Sequence, residues 1–191
     1  MNENNTKEKI HKASEKRMLR FGYRKVTMDE IASDLGMSKN TIYRYFQSKE
    51  QIAEYVFECL TFRINKGLLD IEQHEKDPLK AISKNILFIQ KELSPWFEHF
   101  LGDIKIELPY LWEKCISYRN EKIFEIEGLI KEGIRKKEFR SVNSVIAMRA
   151  FLGAIDAVIN PDVLQKENIP FDKAIEEVLD LWSNGISRVK G

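Results

Sequence analysis

Apolar residues recur at helical spacing along almost the whole chain, and little of it alternates with the period of a strand. The short β-like runs "NILFI" and "DIKIEL" both sit inside helical spacing, so an all-α fold of about nine helices is predicted. Thr6 can N-cap a first helix that carries Ile10, Ala13, Met18 and Phe21 roughly on one face and stops before Gly22. Thr27 and Glu30 have the spacing of a capping box and open a second helix, which ends near Gly36. Ser38 caps a third, very short helix. Ser48 and Gln51 form another capping box, opening a long fourth helix striped by Ile52, Val56, Cys59, Leu60 and Arg63. Pro78 and Pro95 read as first-turn residues of two more helices. The segment from "LPYLWEK" onward is long and helical, with Trp112, Ile116, Ile123, Ile130 and Ile134 in phase. "SVNSVIAMRAFLGAIDAVI" is apolar on two faces, Val145/Met148/Leu152/Ile155/Ile159 and Ala147/Phe151/Ala154/Val158. The last helix, near Asp172 to Val189, aligns Ile175, Val178, Leu179, Trp182 and Ile186, while Leu181 points elsewhere.

The chain has 191 residues, 43% hydrophobic and 32% charged, enough for a core and a well-charged surface. Its net charge of +1 is uninformative, but the distribution is not. Residues 1–50 hold 11 Lys and Arg against 7 Asp and Glu, a net of +4, and the remainder holds 20 against 23, a net of −3. A basic first segment on a mildly acidic body suggests that the first segment meets a polyanion. Cys59 and Cys115 lie far apart in no CxxC spacing, which argues against a disulfide framework or a zinc site. The polar start and the lack of any apolar run near ~20 residues point to a cytoplasmic protein with no membrane partner.

Residues 28–46 explain the charge. Ile31, Ala32 and Leu35 form the inner side of one short helix, Gly36 makes a sharp turn that Met37 can plug, and Ile42 and Phe46 form the buried side of the next helix. This is a helix-turn-helix pattern. Burying Ile42 and Phe46 leaves Lys39, Asn40, Thr41, Tyr43, Arg44 and Tyr45 on the other faces, a set with positive charge and no acid, suited to base edges and phosphates in a major groove. Lys49 opposes the dipole at the start of the fourth helix, an arrangement that an anion would relieve; a phosphate there, or at Thr27, would also meet free backbone N–H groups.

The stretch "KVTMDEIASDLGMSKNTIYRYFQSKEQI", with "FGY" before it, resembles the DNA-binding signature of the tetracycline-repressor (TetR) family of bacterial regulators, over about residues 6 to 56. Arg17 departs from the pattern, standing where such proteins usually carry an apolar residue. The resemblance implies a helix-turn-helix DNA-binding domain over residues 1–48 and a helical ligand-binding and dimerisation domain over 49–191. It implies contacts to phosphates or bases from Thr41, Tyr43 and Lys49, and variable reading by Lys39, Asn40, Arg44 and Tyr45. It further implies a homodimer that binds a palindromic double-stranded operator, represses transcription and is released by a small molecule.

The aromatic residues of the middle helices suit a hydrophobic or aromatic effector, with Phe62, Phe88, Trp96, Phe100, Trp112, Phe124 and the buried-helix cation Arg149 as candidate lining. Each aromatic is also an ordinary core residue on its own terms. Arg149 and Asp156, seven residues apart, can equally form a structural ion pair. Two-sided apolarity over 145–159 argues for a four-helix subunit interface using Phe151, Ala154, Ile155, Val158, Val178 and Trp182. His99 and Asp103 stand at i and i+4 but offer two ligands where a metal needs three or four, so neither metal nor cofactor is expected. With no Gly-rich phosphate loop, no nucleophile–base pair and three scattered histidines, the chain is not expected to be an enzyme. The competing expectation is an architectural or partner-controlled DNA-binding protein without a small-molecule inducer.

Overall fold

A computed structural model describes residues 3–97, 99–158 and 161–187. Among them are ten α-helices: α1 (Glu3–Phe21), α2 (Met28–Leu35), α3 (Lys39–Tyr43), α4 (Lys49–His74), α5 (Pro78–Phe97), α6 (Phe100–Glu107), α7 (Pro109–Arg135), α8 (Ser144–Val158), α9 (Pro161–Lys166) and α10 (Phe171–Ile186). The described residues contain no strand, only one isolated antiparallel bridge between Phe139 and Ser187. The fold is therefore all-α with an N-terminal helix-turn-helix. No described helix is long and apolar enough to cross a membrane.

Four local expectations change. Thr6 lies inside α1 and is buried rather than capping it, because tertiary packing overrides a weak local cap signal. Phe21 is exposed, its ring lying under the guanidinium groups of Arg17 and Arg20. Pro95 sits within the last turn of α5, where little helix remains for its missing N–H to disrupt, and the next helix starts at Phe100. The six-residue α9 was not legible in the pattern, being too short to show a period. Ile159 falls outside the described residues.

The chain packs as two compact units, Met1–Arg63 with Pro95–Ile116 and Ile64–Ser94 with Ser117–Gly191. The first unit thus extends beyond the segment that carries the motif. Its core holds Ile10, Met18, Ile31, Ile42, Phe46, Ile52 and Val56, together with Trp96, Phe100, Ile104 and Leu111 from the second segment. Gly22, at φ +82°, sits so close to α6 that a Cβ there would lie 2.5 Å from Asp103 Oδ2 and 3.3 Å from the His99 carbonyl oxygen. Only glycine tolerates both that conformation and that approach. The neighbouring Arg24 backbone N–H donates to Asp103 Oδ2 at 2.9 Å and its Nε to Glu107 Oε1 at 2.8 Å, fastening the α1–α2 turn to α6.

The second unit packs α8 and α10 against α5 and α7 around Ile82, Ile126, Ile130, Met148, Phe151, Val178 and Leu179. Trp182 donates from Nε1 to the Ala147 carbonyl at 2.8 Å and meets the Phe151 ring at 5.1 Å, so α10 is keyed to α8 by one hydrogen bond and one ring contact. Of the stripe expected for the last helix, Ile175, Val178, Leu179 and Ile186 are buried and Trp182 is partly so, and Leu181 is 74% exposed.

Candidate nucleic-acid interface

The helix-turn-helix is assembled by its caps. Thr27 Oγ1 accepts from the Glu30 N–H, and the Glu30 carboxylate accepts from the Thr27 N–H at 2.9 Å, the reciprocal pair that starts α2. These bonds hold the Glu30 carboxyl below its usual range, the Thr27 backbone N–H first among the causes. Gly36 takes the left-handed conformation at φ 59° and ends α2; Met37 N–H then returns to the Ala32 carbonyl at 2.9 Å. Ser38 caps α3 through the Thr41 N–H at 3.1 Å, and Ile42 and Phe46 are fully buried beneath it. At the start of α4 Ser48 Oγ accepts from the Gln51 N–H, but the Gln51 side chain accepts from the Gln47 N–H at 2.6 Å, one residue earlier than a capping box requires.

Arg17 is explained by α2. Its guanidinium forms a two-pronged pair with Asp34, with Nη2 to Oδ1 at 2.8 Å, and Nη1 lies 3.3 Å from Glu30. An ion triad thus replaces the apolar contact between α1 and α2, and Arg17 hydrogen-bonding holds the Asp34 carboxyl low.

The expected DNA-facing residues divide into two groups. Asn40, Tyr43 and Arg44 are exposed at the surface of α3 and its C-terminus. The others are already engaged. Lys39 Nζ donates to Asp29 Oδ2 at 2.8 Å, the Thr41 hydroxyl lies 2.8 Å from that of Ser38, and the Thr27 hydroxyl belongs to the cap. Tyr45 is half-buried. Lys49 donates from Nζ to the Tyr23 carbonyl at 3.1 Å and lies 4.1 Å from the centre of its ring. The carbonyl and ring face supply the negative charge density that an ammonium at a helix N-terminus needs, with no phosphate present. Tyr23 is buried and its hydroxyl donates to Glu50 Oε1 at 2.9 Å; burial, then this bond, push the phenol well above its usual range. Sequence reasoning missed Asp29, Tyr23 and Glu50. The sign change between Asp29 and Lys39 across the turn was the available signal for the first of these.

In the first unit His11 is buried on α1, edge-on to Tyr55 at 5.5 Å, with Nε2 unbonded and 3.5 Å from Glu15 Oε2. Glu15 Oε1 accepts from Arg63 of α4 at 2.6 Å. Burial lowers the His11 pKa, the Glu15 charge opposing and the Arg63 charge reinforcing that shift.

The candidate effector residues do not face one cavity. Phe62 and Phe124 are 70% and 68% exposed, Arg149 is exposed, and Trp96 and Phe100 are buried edge-to-face against each other at 4.9 Å. Trp112 is half-buried under Lys105, and Phe88 packs where Gly67 leaves room on α4. Periodicity located these rings on helices but not the direction each faced. The second unit instead has a cleft of about 680 Å³ between α4, α5 and α7, lined among others by Leu68, Glu72, Ala81, Asn85, Lys122 and Leu129. Asp156 pairs with Arg119 of α7 at 2.5 Å, not with Arg149. Asp103 serves the Arg24 backbone, and no group of three metal-ligating side chains occurs among the described residues. Both cysteines are free, and burial pushes the Cys115 thiol up to about 12.

Of the expected interface residues, Phe151 and Val178 are buried within the single chain, while Ala154, Ile155, Val158 and Trp182 are partly buried around them. The large apolar side chains left exposed on α8 and α10 are Val145, Ile146 and Leu181.

The family described as bacterial regulatory proteins, tetR family, matches residues 10–56. The HTH-type transcriptional regulator YhgD of Bacillus subtilis (strain 168) is 37% identical over 184 residues, covering 92% of this chain and 93% of that protein. The fatty acid metabolism regulator protein of the same organism is 26% identical, with 86% and 87% covered. Among solved structures, a putative transcriptional regulator from Saccharomonospora viridis in complex with choline superposes with a TM-score of 0.80 at 17% identity, covering 97% of this chain and all of that one.

Proposed function

The chain belongs to the tetR family of bacterial regulatory proteins and is a DNA-binding transcriptional regulator, and from that premise we propose that it represses transcription in the cytoplasm as a homodimer on a palindromic operator and leaves it when a small molecule binds. The observation that carries the DNA reading is the exposed trio Asn40, Tyr43 and Arg44 on a recognition helix whose inner face is fully buried. Tyr43 anchors phosphate and Asn40 and Arg44 read base edges, with Lys39, Thr41, Tyr45, Thr27 and Lys49 around them. The exposed Val145, Ile146 and Leu181 support pairing of α8 and α10 with a second copy. The cleft among α4, α5 and α7 supports the effector role, as does the choline held by a protein of the same fold. The Arg24 bonds to Asp103 and Glu107 give α6 a direct hold on the helix-turn-helix, so a shift of α6 on effector binding would re-space the two recognition helices.

The test is selection of duplex DNA from a random pool by the purified protein, with its mass measured alongside. A palindromic motif bound by a dimer is expected. A non-palindromic motif or a bound monomer would overturn the homodimer–operator reading. Binding that no small molecule relieves would favour the architectural or partner-controlled role.

A further inference from the structure

Asp29 is an exposed acid paired with a residue of the proposed reading surface. It lies in the first turn of α2, its side chain is 69% exposed, and its Oδ2 accepts from Lys39 Nζ at 2.8 Å across the tight turn. Lys39 is the first residue of α3, directly before the exposed Asn40. A carboxylate beside Lys39 adjoins the surface proposed above to meet DNA, and a phosphate would repel it. Folding gives only a modest reason for it: as an acid in the first turn of α2 it suits the helix dipole. An exposed ion pair contributes little to stability, and the Glu30 cap already serves the N-terminus of α2. Asp29 in turn raises the Lys39 pKa through their hydrogen bond.

The pair offers one donor and one acceptor side by side with no net charge. The major-groove edges of A·T and G·C pairs both carry acceptors beside an amine donor, but the usual base partner of a lysine is guanine O6 and N7 and that of a carboxylate is cytosine N4, so a G·C pair suits the two best. A neutral pair also releases few counterions, so it adds little to sequence-independent attraction. We propose that Asp29 is a specificity-determining residue that holds Lys39 so that the two read one G·C base pair in each half-site while adding little to non-specific binding. This rests on the operator reading given above.

The test compares wild type, Asp29→Asn, Lys39→Met and the double variant by random-pool selection and by titration of non-specific duplex against salt. Asp29→Asn is expected to flatten a G·C preference at one position per half-site, by about tenfold for a good contact. It should also tighten non-specific binding and steepen the log–log salt slope by about 0.9 per subunit. Lys39→Met should flatten the same position without the steeper slope, and in that background Asp29→Asn should leave the selected motif as it is. A helix-turn-helix that melts as wild type does, with the motif and slope unaltered in Asp29→Asn, would overturn the assignment. If Asp29→Asn does not fold, Lys39→Met alone decides, since an unaltered motif there removes the pair as a reader. A wild-type protein that selects no motif would instead defeat the operator reading itself.

Discussion

The α2–α3 corner and the α8–α10 pair use apolar residues in opposite ways. At the corner Ile31, Ile42 and Phe46 are entirely spent inside one chain, Leu35 and Met37 are half-buried, and the side chains left exposed are polar apart from the Tyr43 ring. On α8 and α10 the inner stripe is buried too, yet Val145, Ile146 and Leu181 stay in solvent. Burial of a recognition surface's supports makes it rigid and hydrophilic, whereas apolar groups left outside a filled core are available for contact with another protein.

The most disruptive way to test this contrast is Phe151→Glu. It places a charge within the second unit's core, so it should unfold that unit at a cost of several kcal/mol rather than yield folded monomers. Leu181→Glu, on the exposed side, should leave the helical circular dichroism intact and, in the homodimer proposed above, halve the mass seen by light scattering. A folded Phe151→Glu chain would mean that the inner stripe is not the core. A smaller effect is expected at Gly22. Gly22→Ala meets both a left-handed backbone and Asp103, and should lose about 1–3 kcal/mol in denaturant unfolding and weaken DNA binding with it. Wild-type stability there would show that the turn is free to move from α6.

Lys49→Met separates two roles at one site. If the ammonium mainly ties α4 to Tyr23, the melting temperature falls by a few degrees and the salt slope of DNA binding stays as it was. A slope shallower by about 0.9 per subunit would make Lys49 a phosphate contact. The smallest effect is expected from pH. His11 faces Glu8, Lys12 and Glu15 of its own helix and Arg63 of α4, and its folded pKa lies below the unfolded value of about 6.5. The unfolded chain therefore binds more protons as pH drops below that value, so stability is lost on acidification through this window. His11→Leu should remove part of that acid dependence in thermal melts; an unchanged pH profile would show that His11 does not contribute.

What was legible in the sequence followed from local rules. Thr27 with Glu30, Gly36 and Ser38 each need only a few neighbours to act, so α2, the turn and α3 were placed correctly from spacing. Leu181 was set apart from its stripe by phase alone. Direction and partnership were not legible. Nothing in the order of residues says that Lys49 turns back to Tyr23, that Arg17 reaches Asp34, or that Phe62 faces water, because each depends on which helix lies opposite. The same limit explains Thr6 and Pro95, where packing outweighed a cap preference and a helix-start preference.

The recognition helix α3 has five residues, less than one and a half turns. A helix that short has no standing of its own in water. Its shape comes from Ser38 at one end and from Ile42 and Phe46 lodged in a core that α1 and α4 complete. The reading surface is therefore not portable. A synthetic peptide of residues 27–50 should be a featureless coil, and swapping specificity between two regulators of this kind calls for grafting individual outward side chains onto an intact host rather than moving the segment.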